Sequence, residues 1–158
     1  MHLLFGAPAA QAMKPLLVIG LGNPLMGDEG IGWHAAERLS GDPRLPADAE
    51  VVCGGTDLLR YADRMEGRCR VIVVDALQDD AEPGTIWAVD ASAGLDDRQD
   101  NAHCISAVQA IQLLRMTVKA PITLLGISVP CANVQTGLSP ALAASMPAIL
   151  DRVLRELN

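Results

Sequence analysis

One carboxylate, one imidazole and one thiol stand out in this sequence as groups able to hold a metal ion. Glu29 lies in the stretch GLGNPLMGDEG (20–30), after Asp28 and between Gly27 and Gly30. Its ordinary role is to complement the dipole of a following helix. Its chemical role is that of a carboxylate aimed into a cleft, with glycines that let backbone or substrate approach closely. His103 closes a long polar stretch just before a helix-period segment and is one of only three histidines. A lone histidine in a loop is commonly a surface or capping group, yet imidazole is equally a base or a metal ligand near neutral pH. Cys53 ends an apolar run. It reads either as a small hydrophobe or, as a thiolate, as a soft and strong metal ligand. Three such donors at neighbouring strand ends form an open metal site that polarises a carbonyl or activates a water.

Such a site needs a scaffold that brings distant segments to one rim. Apolar runs alternate with helix-period stretches, the pattern of parallel strands joined by helical crossovers. Strands are expected at 16–22, 50–55, 70–77, 85–90 and 122–129, the fourth short and antiparallel. Helices are expected at 28–40, with Asp28 as N-cap, at 56–66, with Thr56 as N-cap, at 105–117 and at 139–157. Ser139 and Pro140 open the last helix, and Pro147 predicts a kink within it. Residues 78–84 and 91–102 read as polar loops. The expected fold is α/β: a twisted, mainly parallel sheet of about five strands with helices on both faces.

In open sheets of this kind ligands sit beyond the carboxyl ends of the strands. Asn23, Asp28 and Asp75 fall there and are expected to orient ligands or backbone amides. Gly54, Gly55 and Thr56, beside Cys53, are expected to contact substrate. The Gly-rich turn at 20–30 is not a dinucleotide fingerprint, because Leu25 stands where the third glycine belongs, and no Gly-Lys-Ser/Thr follows. No GxSxG elbow and no HExxH helix is present, so serine hydrolase and zincin chemistry are unsupported.

Composition narrows the class further. The 158 residues suit one domain, expected over 13–158, with residues 1–12 as a disordered or mis-started extension. The net charge is −7 and the basic residues form no cluster, which argues against nucleic acid and anionic membranes as partners. The four cysteines, at 53, 69, 104 and 131, form no CxxC pair, and a chain this long needs no disulfide framework. Reduced thiols in the cytoplasm are the simplest reading.

Five blocks then carry a resemblance. They are LVIGLGNPLMGDEGIGWHAAERL (17–39), CGGTD (53–57), VIVVDAL (71–77) with PGTI (83–86), AHCIS (102–106), and LLGISVP (124–130) with GLSPALAASMPAIL (137–150). In that order they resemble the hydrogenase maturation proteases over nearly all the chain from Met13. The resemblance implies a three-layer α/β sandwich of the phosphorylase/hydrolase-like type. It implies a monomeric cytoplasmic endopeptidase. That enzyme removes the C-terminal extension of a nickel–iron hydrogenase large-subunit precursor after nickel insertion, the nickel arriving with the substrate. It implies Glu29 and His103 as metal-contacting catalytic residues. A third, normally Asp before Gly-Gly-Ser/Thr, falls on Cys53. Nickel accepts thiolate as well as carboxylate, but a thiolate is the poorer general base and it oxidises. Two alternatives therefore accompany the protease: a non-catalytic binder of the nickel-loaded large subunit, and a small nucleotide-binding α/β protein.

Overall fold

The structure, a computed structural model, describes residues 13–89, 102–130 and 136–158, with side chains from residue 107 onward in the helix that begins at 102. Five strands form one sheet: β1 (Leu16–Gly20), β2 (Ala49–Cys53), β3 (Arg70–Gln78), β4 (Ile86–Val89) and β5 (Ile122–Val129). Their spatial order is β2-β1-β3-β5-β4. The β1–β2, β1–β3 and β3–β5 pairs are parallel, and β4 joins the edge antiparallel to β5. The helices are α1 (Ile31–Ser40), α2 (Ala62–Met65), α3 (Ala102–Leu114) and α4 (Pro140–Leu157).

The strands are apolar on both faces because both are covered. Leu17, Ile19, Val71 and Val73 point to one face, where Ile111 of α3 and Met65 of α2 cover them. Val18, Ile72 and Val74 point to the other, where Ile31 and Leu39 of α1 and Met146 and Val153 of α4 cover them. The α/β sandwich expected from the alternation is therefore present. A helix can lie close against the sheet only where side chains are absent. A Cβ on Gly20 would meet the carbonyl oxygen of Gly32 at 2.0 Å, and one on Gly32 would meet that of Val74 at 2.2 Å. The two glycines seat the start of α1 on the ends of β1 and β3.

Several boundaries differ from expectation for identifiable reasons. Asp28 and Glu29 lie in a 3-10 turn, Gly27–Gly30, ahead of α1, so Asp28 does not cap it. The helix expected over 56–66 divides into a 3-10 turn, Leu58–Tyr61, and the single turn of α2. Its cap is Asp57, not Thr56: the Asp57 side chain accepts from the Leu59 amide at 3.1 Å. α3 starts at Ala102, earlier than expected, and ends at Leu114. β5 and α4 have the expected bounds, Ser139 caps α4, and the helix runs through Pro147. Residues 1–12 and most of the expected 91–102 loop lie outside the described residues.

Candidate active site at the switch point

From β1 the chain crosses to β2 on one side, and β3 lies on the other. Loops leaving the ends of β1 and β3 therefore diverge and open a crevice, the usual ligand position in such sheets. A cleft of about 460 Å³ occupies it, within the size range of small-ligand sites. The segment after β1 contributes Gly22, Asn23 and Met26, and the 3-10 turn contributes Glu29. The overhanging end of β3 contributes Asp75 and Gln78, and the segment after β2 contributes Thr56 and Asp57. α3 closes the wall with Ala107, Ala110 and Leu113.

Glu29 and Asp75, far apart in sequence, thus face one cleft. Both are half-buried. Gln78 Nε2 donates to Glu29 Oε1 at 2.7 Å, and Asp75 Oδ1 accepts from the Ala76 amide at 2.8 Å. Asp28 serves the scaffold: its Oδ1 accepts from the Ser139 amide at 2.7 Å, fastening the 3-10 turn to the start of α4. Asn23 accepts from the Leu25 amide at 3.0 Å and so shapes the turn at the cleft floor.

The segment after β2 divides. Thr56 faces the cleft, whereas Gly54 and Gly55 are absent from its lining and stitch loops together. The Gly54 amide donates to the Gly20 carbonyl at 2.8 Å, and the Gly55 carbonyl accepts from the Gly22 amide at 3.0 Å. Gly55 N also donates to the Tyr61 hydroxyl at 3.2 Å.

Cys53 is absent from the lining of the cleft that Glu29 faces. Its Sγ lies 3.9 Å from the Trp33 carbonyl on α1, outside the cleft lining. Strand alternation is the reason: Val51 packs with the α1/α4 face and Val52 with the α3 face, so Cys53 turns back toward α1. Partial burial, and then the nearby Glu37 carboxylate, push its thiol above the usual pKa. His103 is the second residue of α3; its side chain lies outside the described residues. Gln78, Asp57 and Gln109 line the cleft without being expected there; position 78 reads from the sequence as the start of a loop. A polar residue three positions after Asp75, at the end of a buried strand, was the available signal.

An acid-lined cleft suits a cation and opposes a phosphate. Glu29, Asp57 and Asp75 converge there, which removes the electrostatic basis for a nucleotide. Among the described residues no group of three His, Cys, Asp or Glu side chains stands at metal-holding spacing.

A model of the hydrogenase maturation proteases (HycI) matches residues 33–156. The chain belongs to that family. Hydrogenase 2 maturation protease of Escherichia coli is 29% identical over 148 residues, covering 90% of each chain. The hydrogenase expression/formation protein HupD of Rhodobacter capsulatus is 30% identical over 155 residues, covering 93% of this chain and 74% of its own. The solved hydrogenase-maturating endopeptidase HybD from E. coli matches with a TM-score of 0.75 at 29% identity, over 90% of this chain and 91% of that one. This maturation protease is therefore a hydrolase of peptide bonds. No helix among its described residues is long and apolar enough to cross a membrane.

Proposed function

We propose that the switch-point cleft is the peptidase site, and that Glu29, Asp75 and His103 hold the nickel of a large-subunit precursor while its C-terminal extension is cut. The observation that carries this reading is the shared lining of one cleft by Glu29 and Asp75. Position 103 supports the third member: with Ala107 and Ala110, both in the lining, it follows the i, i+4, i+7 spacing of one helix face. Carboxylate and imidazole are a donor set that nickel accepts. Two carboxylates and one imidazole make an incomplete shell, which suits a metal arriving with ligands of its own. Cys53 drops out of the set, and with it the ground for a binder that has lost its base.

A divalent ion held there supplies Lewis acidity to the peptide being cut. The chain's own part is to present two oriented carboxylates, to accept a proton from the attacking water on one of them, and to wall the reaction with α3. Gating by nickel then follows from charge: without the cation, the acidic cleft has nothing to attract in the substrate. The protease works on its precursor in the cytoplasm, as a monomer.

The deciding experiment is processing of purified nickel-loaded precursor by the wild type, Asp75→Asn and Cys53→Ser. Asp75→Asn is expected to slow cleavage by about 100-fold or more, the scale of losing a principal catalytic group, and Cys53→Ser to leave it unchanged. The opposite pattern would return the third position to the thiol and overturn the assignment.

A further inference from the structure

β3 outlasts its neighbour. Gly20, the last residue of β1, pairs with Val74, while β3 runs on to Gln78, held on its other side by β5 as far as Val129. Successive side chains of the overhang alternate in direction. Asp75 and Gln78 therefore enter the same cleft from opposite sides of one strand end. Gln78 reaches across to Glu29, 49 positions away, with Nε2 donating to Oε1 at 2.7 Å. Both residues are half-buried, so water competes for this bond less than it would at the surface.

We propose that Gln78 is a positioning residue for Glu29: its amide fixes the plane and reach of the carboxylate from the end of β3, so that the acid stands in its working orientation when the peptide bond is attacked. An amide is the suitable group for this task. Lys or Arg at 78 would also orient the carboxylate, but would neutralise it and repel the incoming cation. A second carboxylate would repel Glu29 itself. A neutral N–H donor orients the acid and leaves its charge in place. Partners of this outer kind commonly tune metal affinity or activity by about 10–100-fold.

The inference rests on the reading of Glu29 given above, and its test separates the two. Gln78→Met keeps the length of the side chain and removes the donor; Gln78→Asn keeps the amide one methylene short. With nickel-loaded precursor as substrate, Gln78→Met is expected to lower kcat by about 10-fold and to leave KM within about two-fold, the signature of an interaction that acts in the transition state. Gln78→Met combined with Glu29→Gln should be no slower than Glu29→Gln alone. A crystal structure of Gln78→Met should show the Glu29 carboxylate turned from its present orientation. Wild-type kcat in Gln78→Met, together with a cleavage-dead Glu29→Gln, would overturn the positioning role and leave the site reading intact. Normal cleavage by Glu29→Gln would remove both. If Gln78→Met does not fold, Gln78→Asn is judged by the same three readouts.

Discussion

Two glutamates at opposite ends of the sheet are held in contrasting ways. Glu50, at the amino end of β2, is clasped by two guanidinium groups: Arg68 Nη2 sits 2.5 Å from Oε2, and Arg64 bonds Oε1. Arg68 is buried and also donates to the carbonyls of Arg64 at 2.7 Å and Lys14 at 2.6 Å. Burial holds its pKa below the usual arginine value. This cluster neutralises the Glu50 carboxylate and fastens the segments that enter β1, β2 and β3. Glu29, at the carboxyl end, receives the neutral amide of Gln78. One acid is built into the scaffold by cations; the other is oriented by a neutral amide at the rim of the cleft.

The sharpest way to break this contrast is to remove each acid in turn. Glu29→Ala is expected to reduce kcat/KM on nickel-loaded precursor by about 100–1,000-fold, while Tm stays within about 2 °C. Glu50→Ala should do the reverse. Leaving buried Arg68 without its acid should cost about 2–4 kcal/mol, a fall in Tm of roughly 5–12 °C, with cleavage at 25 °C unchanged. If either variant loses both properties in a thermal melt and a processing assay, the division between the two ends is wrong.

Asp28 sharpens the comparison because it adjoins Glu29 in sequence. Asp28→Ala removes the acceptor for the Ser139 amide and should cost about 1–2 kcal/mol of stability in a denaturant titration. Cleavage should stay within about two-fold of wild type, because Asp28 is absent from the cleft lining. The smallest effect is expected at Cys53. Its folded pKa lies above the ordinary 9.0, so near pH 8.5 the native thiol carries less thiolate than the unfolded chain. Iodoacetamide should alkylate it more slowly in buffer than in urea, as read by mass spectrometry. The linkage has the matching sign: its contribution to stability is full below pH 9 and is lost as pH rises through the folded value.

Much of the architecture was legible because β-branched runs such as RVIVVDAL form strands buried on both faces, and RVIVVDAL and ITLLGISV admit little else at their lengths. The order of strands, and with it the crevice between β1 and β3, was not legible, because alternation implies parallel strands and crossovers but not which strands lie side by side. The segment between β2 and β3 was misjudged because its apolar spacing suits a helix, whereas Asp57 ties down the Leu59 amide and leaves room for only short turns. Glu29 and Asp75 were legible as acids at strand ends. Cys53 was not, since its side follows from the pleat, and block-by-block resemblance carries no parity. The alternation of Val51 and Val52 turns it toward α1. Gln78 was hidden by a boundary placed one residue short.

The overhang of β3 ties the lifetime of the site to that of the whole sheet. Asp75 to Gln78 continue the central strand of the sheet and share its ladder with β5. Those of their amides that bond to β5 should exchange with solvent only when the entire molecule opens, as slowly as those of Ile72 or Val73. A lesion far away, such as loss of the Glu50 cluster, would leave each folded molecule fully competent. It would act on the cell's supply of mature hydrogenase by shortening the fraction of time a competent molecule exists.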